Sequence, residues 1–248
     1  MADPSRNFGE AAARYTAFRP DYPQEIFDFL LAHVTSGRLF AVDLGAGSGQ
    51  ATRNLAGLFS NVTAIEPDGR LVEEARLPAN VKIELKAAET AEFAEASLDA
   101  VISATAFHWM NQALVCKNAA CWLKTGGAFF PFAPDAFQVA GDASDYFTDE
   151  FDKWRPYRDR RLVDCYDYEA ALKESGVFAS VLPYRQTLRH QLPSAAAAGL
   201  ISTFSFARDY ARDHGGEDYF QSVKDTLTRF GETVTFIVPI IGALGVKA

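Results

Sequence analysis

An apolar run closes on Asp43 and Leu44, and Gly45, Gly47 and Gly49 follow at alternate positions, with Ala46 and Ser48 between them and Gln50 after. Glycines in such a turn let backbone N–H groups approach a ligand, because no Cβ stands in the way, and a helix opening behind the turn adds further unpaired N–H groups. Turns of this kind hold nucleotides. The spacing bears on which one: a dinucleotide fingerprint is G-x-G-x-x-G, whereas here the third glycine comes one place early, which weakens a pyrophosphate reading. Glu66 ends the next apolar run, 17 positions after Gly49 (66 − 49). At that place in a doubly wound sheet a carboxylate accepts hydrogen bonds from both hydroxyls of a ribose. By itself Glu66 also reads as a solvated acid at a strand end; the glycine turn before it favours the ribose.

His108 comes shortly after a further apolar run, residues 98–103. Histidine titrates near neutral pH, so His108 is a candidate to accept a proton or to orient a substrate; the other reading is a wall residue bonded to backbone. Trp109 reads as an apolar wall or as the start of the next helix. Arg155, Arg158, Arg160, Arg161, Arg185 and Arg189 are cations suited to an acidic substrate, with Arg158 taken as its contact, and they also fit a solvated helix face. No metal is implied. Cys116, Cys121 and Cys165 lack a C-x-x-C spacing and clustered histidines, and read as reduced, buried, small apolar residues.

These residues need a scaffold that repeats strand, turn and helix. Residues 38–44 read as a buried strand, and Ala51, Leu55 and Leu58 recur at helical spacing behind Ser48, a candidate N-cap. Residues 62–65, 81–85 and 98–103 read as strands, with a helix carrying Leu71, Val72 and Ala75 between the first two. Met110, Leu114 and Cys121 mark one face of a helix before Gly126 and Gly127, and 128–132 is a strand that Pro131 should end, since proline has no N–H for a ladder. Residues 135–167 lose the pattern and read as a helical insertion. A helix over 168–174, a strand over 179–188, two helices within 194–230 and a last strand over 233–237 complete the chain. The alternation predicts an α/β fold: a doubly wound, mostly parallel, seven-stranded sheet in a single domain of residues 1–248, with helical cap insertions at about 135–167 and 194–230.

Of the 248 residues, 48% are hydrophobic and 23% charged, a globular balance, and the net charge of −8 repels a polyanion, which argues against nucleic acid as partner. No apolar run approaches a membrane span and the first ten residues lack the core of a secretory signal. The expectation is a cytoplasmic monomer or homodimer acting on a small molecule.

Four segments in order, Val42 to Gln50, Ala64 to Asp68, Lys86 to Phe93 and Leu98 to Met110, resemble the successive motifs of class I S-adenosylmethionine-dependent methyltransferases. The resemblance implies S-adenosyl-L-methionine as cofactor, S-adenosyl-L-homocysteine as product, and no metal. It places Asp43, Gly45, Ala46, Gly47, Ser48 and Gly49 around the amino-acid end, Glu66 and Pro67 at the ribose, and Ala87, Ala88 and Glu89 along the adenine. The family commonly has an acid where Ala87 stands, so the contact implied there is through backbone. Thr105 to Trp109 would face the sulfonium and the acceptor. The absence of an Asn/Asp-Pro-Pro-aromatic segment, where Ser103-Ala104-Thr105-Ala106 stands, departs from the branch that methylates amines of nucleic-acid bases.

Arg14, Tyr15, Arg19, Pro20, Tyr22 and Pro23, together with Phe107-His108-Trp109 and Ser202 to Phe206, are similar to the small-molecule branch that includes trans-aconitate methyltransferases. Tyr15 and Arg19 would then fold over the cofactor, or else the segment docks on the core. The implied reaction is methyl transfer to a small molecule, on oxygen and with a carboxylate as one acceptor. Two rivals stand beside it: a non-catalytic S-adenosylmethionine-binding module, and an NAD(P)-dependent oxidoreductase, against which the Gly49-Gln50 placement argues.

Overall fold

The structure, a computed structural model, describes residues 14, 17–19, 21–73, 75–164 and 166–248. At its centre β1 (Phe40–Leu44) pairs in parallel with β2 (Asn61–Ile65) on one side and with β4 (Leu98–Ala104) on the other. β3 (Val81–Glu84) joins outside β2 and β5 (Leu123–Pro134) outside β4, again in parallel. Ala41 to Leu44 and Leu98 to Ser103 are buried throughout, as strands covered on both faces must be, which is why they read as unbroken apolar runs.

Helices α1 (Gln24–His33) and α2 (Gln50–Ala56) bury Ile26, Phe27, Leu30, Ala51 and Leu55 in one cluster, on one face of the sheet. On the other face α4 (Gln112–Trp122) and α7 (Tyr168–Ser175) bury Val115, Cys116, Ala119 and Leu172 in a second cluster. Between these, α3 (Gly69–Glu73) crosses from β2 to β3.

The sheet changes direction at β8 (Thr233–Val246), which lies antiparallel to β5 on one edge and to the fourteen residues of β7 (Ser180–Pro193) on the other. A short β6 (Gln138–Ala140) continues the β5 edge of β8, so eight strands occur among the described residues where seven are expected. The expected strand 233–237 is the first third of β8. Pro131 does not end β5: the β5–β8 register is interrupted only between Phe129 and Phe132, the stretch in which proline has no N–H to give, and resumes beyond it.

Other expectations are corrected. Ser48 does not cap α2; Gly49 does, in a left-handed conformation and without a side-chain bond. Helix α4 begins after Met110, capped by Asn111, whose side chain accepts from the Leu114 N–H. Counting from Met110 therefore picks the wrong face, and Leu114 and Cys121 are exposed. Cys165 lies outside the described residues. Residues 135–167 hold β6 as well as α5 (Ser144–Trp154) and α6 (Arg161–Asp164). Three helices, not two, fill 194–230: α8 (Ser194–Ile201), α9 (Ser205–Asp213) and α10 (Glu217–Arg229). None of the described helices is long and apolar enough to cross a membrane.

Candidate functional site

The segments leaving β1, β2, β3, β4 and β5 open on one cavity of about 430 Å³, which α5, α6 and the residues before α9 complete. Carboxyl ends of parallel strands are where doubly wound sheets bind ligands, because the loops there diverge and leave a crevice.

The glycine turn is tied to β2 by the N–H groups of Gly45 and Ala46, which both donate to the Ile65 carbonyl at 2.8 and 3.0 Å. Its three glycines have φ of +74°, +56° and +79°, the left-handed region that L side chains avoid. Their surroundings differ. A Cβ at Gly45 would lie 2.4 Å from the Ala106 Cβ, and one at Gly49 2.4 Å from a methyl of Leu77, whereas one at Gly47 would meet nothing within 4 Å. Gly45 and Gly49 thus serve packing, while Gly47 leaves room for a ligand in a cavity that it lines. Next to it the Ser48 hydroxyl, also in the wall, is buried without a hydrogen-bond partner. A buried hydroxyl left so costs about 1–3 kcal/mol, which a polar ligand group would recover.

Glu66 is 6% exposed and accepts twice from backbone, from the Gly47 N–H on Oε2 and from the Asp68 N–H on Oε1, both at 2.9 Å. Burial raises its pKa and the two N–H bonds oppose that rise. The carboxylate therefore clamps the glycine turn to the end of β2 and keeps a second lone pair on each oxygen for hydroxyl donors. Pro67, Ala87, Ala88 and Glu89 continue the wall. Glu89 also accepts from the Asn111 N–H at 2.8 Å, which joins the turn at Ala88–Thr90 to the start of α4.

Asp43 and Gly49, expected at the ligand, lie behind the wall rather than in it. Asp43 is 1% exposed, accepts from the Thr52 hydroxyl at 2.6 Å on one oxygen and has no partner on the other. Burial, with a smaller push from the Glu66 charge, raises its pKa to about 7 against the bond from Thr52.

Thr105, in the wall, has φ of +57°. A β-branched residue in that region is strained by roughly 1–3 kcal/mol and stays there only when its surroundings hold it. They do: its N–H donates to the Phe132 carbonyl at 2.8 Å, and its hydroxyl is 2.6 Å from the Tyr22 hydroxyl.

His108 is 1% exposed, with Nδ1 2.9 Å from the Tyr168 hydroxyl and its ring 4.7 Å from that of Tyr166. Burial, and then the Arg161 charge, lower its pKa to about 3, so the ring is neutral at physiological pH and a weak base. The Arg161 guanidinium lies 4.5 Å from the centre of the Trp109 ring. Arg158, in the wall, donates to the Leu162 carbonyl at 3.1 Å. Arg19 donates from Nε to the Thr203 hydroxyl at 2.8 Å and lies over Phe204, while its carbonyl accepts from Gln50 at 2.9 Å. Tyr15 lies outside the described residues.

Sequence reasoning missed Tyr22, Gln50, Asp135, Phe137, Tyr166 and Thr203 as wall residues. They come from five separate stretches; Tyr22, Gln50 and Thr203 fall inside motifs marked in the sequence without a place in the wall, and nothing marked Asp135, Phe137 or Tyr166. Among the described residues no cluster of His, Cys, Asp and Glu is arranged to hold a metal ion.

Residues 42–130 match the family model described as a methyltransferase domain. A protein of Dictyostelium discoideum named as a methyltransferase is 30% identical over 238 residues, which cover 91% of this chain and 86% of that protein. A Saccharomyces cerevisiae protein named as an S-adenosylmethionine-dependent methyltransferase is 26% identical over 162 residues, 57% of this chain and 55% of its own length. In fold, the chain superposes on a structure from Anaeromyxobacter dehalogenans, described as a type II methyltransferase, with a TM-score of 0.75 at 23% identity, covering 92% of this chain and 98% of that one.

Proposed function

The chain belongs to the methyltransferase family, and on that premise we propose that it moves the methyl group of S-adenosylmethionine to an oxygen of a small molecule, with a carboxylate as the acceptor group. The observation that carries this is the joining, in one cavity, of the glycine turn and Glu66 with the stretch Thr105 to Trp109.

The residues suit the cofactor: Gly47 leaves space, the Ser48 hydroxyl lacks a partner, and Glu66 has lone pairs to spare. Gly45 to Ser48 would hold its amino-acid end, Glu66 and Pro67 its ribose, and Ala87 to Glu89 its adenine, while Arg19 closes the site from the Tyr22 side. S-adenosylmethionine supplies, when bound, a methyl group already activated on a sulfonium. The protein then has to hold an acceptor oxygen in line and exclude water, and such positioning is worth roughly 7–11 kcal/mol in well-oriented systems. A carboxylate is ionised at neutral pH and needs no base, which agrees with a neutral His108. His108 orients the acceptor instead, as a hydrogen-bonding group fixed by Tyr168. Arg19, Arg158 and Arg161 line the same cavity and supply positive charge for an acid. The helical segments within 135–167 and 194–230 act as a cap over that acceptor, and the likeness to the branch containing trans-aconitate methyltransferases supports an acid.

The test is incubation of the purified protein with methyl-labelled S-adenosylmethionine and an acid-rich metabolite extract. Label is expected in an ester that alkali hydrolyses. Label in no compound, with cofactor binding intact, would speak for a non-catalytic binding module.

A further inference from the structure

We propose that the acceptor is a flat, apolar acid, an aryl or conjugated monocarboxylate, with its anionic group on Arg158 and its body among aromatic rings. This rests on the methyl-transfer reading and narrows its substrate class.

The three arginines of the cavity differ in what already satisfies them. Arg161 is paired with Asp159 at 3.0 Å and packs on Trp109, and Arg19 donates to Thr203. Arg158 forms no ion pair with any described carboxylate. Its Nη2 donates to the Leu162 carbonyl, a neutral acceptor, and its Nε is buried without an acceptor at all. A guanidinium carries five N–H donors in one plane and is best complemented by the two oxygens of a carboxylate. The rings of Phe151 and Phe206 lie 5.6 and 5.8 Å from its central carbon. This apolar setting strengthens attraction to an anion, because little water competes for either charge. Arg158 is therefore the unfilled half of an ion pair, and the cavity it lines is where the other half enters.

The surroundings select the rest of the molecule. Besides Phe151 and Phe206, the wall carries Phe137, Phe204, Tyr166 and Trp109. Phe137 and Phe204 lie 4.7 Å apart, and Phe204 and Phe206 5.4 Å, so flat faces succeed one another beside the guanidinium. An unsaturated or aromatic body stacks on such faces and releases water from them. A polycarboxylate would set its remaining charges beside these rings and Asp135 in the same wall, where Arg161 already faces the charge of Asp159. The geometry thus favours one negative charge on an apolar plane over several charges on a polar chain.

The experiment uses the full chain. Its affinity for S-adenosylhomocysteine is measured first by calorimetry; the complex is then titrated with trans-cinnamate and with tricarballylate, for the native chain, Arg158→Gln and Arg158→Lys. Trans-cinnamate is expected to bind at least about tenfold more tightly than tricarballylate. Arg158→Gln should weaken it by about tenfold or more, as expected when a charged hydrogen bond is lost, and Arg158→Lys by less, because the charge stays but the fork does not. S-adenosylhomocysteine affinity should change less than about twofold in both variants, which also reports that they fold. A chain that takes S-adenosylhomocysteine but binds neither acid, prefers tricarballylate, or is indifferent to Arg158→Gln overturns the acceptor class alone. A chain that does not take S-adenosylhomocysteine overturns the methyl-transfer reading and this one with it.

Discussion

Asp43 and Glu66 end neighbouring strands, and both are carboxyls kept from water, yet only Glu66 reaches the cavity. Their pH behaviour follows from burial. Asp43 titrates near 3.8 in the open chain and at about 7 in the fold, so the fold binds its proton more tightly. The stability that this confers is whole below pH 4 or so and is lost as pH rises through about 7. Asp43→Asn keeps an acceptor for Thr52 and should remove up to about 1.4 kcal/mol per pH unit of that slope; denaturant melts between pH 4 and 7 read it, and an unchanged slope contradicts the assignment. His108 has the opposite shift, to about 3, and so should not ionise near 6.5 in the folded enzyme. A kcat/KM profile without a limb near pH 6.5 is expected, and Tyr168→Phe, which removes the 2.9 Å bond to Nδ1, should lower kcat/KM by about 3- to 12-fold. Cofactor affinity should not follow. The residue types of this site were legible in the chain because glycine, acid and histidine each have a distinct use there. Which acid faces the ligand was not, since Asp43 and Glu66 both end apolar runs and only the turn of the backbone separates them.

At the level of elements, the glycine turn is the part whose geometry is most demanding. Gly47→Ala adds a methyl to open space at φ +56°, a cost of about 1–2 kcal/mol in folding, and, if the cofactor lies where we propose, the methyl fills part of its room and should weaken cofactor binding about tenfold, by the order of one hydrogen bond lost. Gly45→Ala drives its methyl to within 2.4 Å of Ala106, so overpacking adds about 1–3 kcal/mol to the same backbone strain. Denaturation curves and calorimetric titrations on the two variants separate the effects; equal losses of stability would contradict the distinction. The parallel strands were legible because burial on both faces leaves apolar runs. The length of β8 was hidden, for Pro239, Gly242 and Gly245 read locally as strand breakers. In the fold they are permitted by neighbours: a Cβ at Gly242 would lie 2.7 Å from the Pro131 carbonyl, and one at Gly245 2.6 Å from the Phe178 ring. Close approach of distant segments explains those glycines, and local pattern does not report it. The helix face misread through Met110 has a similar origin, since the Asn111 cap sets the true phase.

Across the molecule, one cluster of buried residues runs from Ile26 and Phe27 through Phe130 to Trp154, Phe204 and Phe236, so the helical segments share a core with the sheet. Thermal unfolding should therefore be a single calorimetric transition. Trp154→Ala, which removes a fully buried ring and its bond to Tyr219, should lower that transition by about 3–5 kcal/mol of stability without splitting it; two separate transitions would contradict the shared core. A mostly parallel sheet with helices on both faces was implied by the alternation of elements. Of the aromatic and arginine residues in the cavity wall, Trp109, Arg158, Arg161, Phe204 and Phe206 were marked in the sequence, whereas Phe137 and Tyr166 were not, because their segments meet the others only in the folded chain. The proposed function rests on a nucleoside-binding crevice built by the first two strands. Its most direct test is calorimetric titration of the purified chain with S-adenosylmethionine and S-adenosylhomocysteine: saturable one-to-one binding that Glu66→Ala weakens by at least about tenfold is predicted, and absence of binding by both compounds would contradict it.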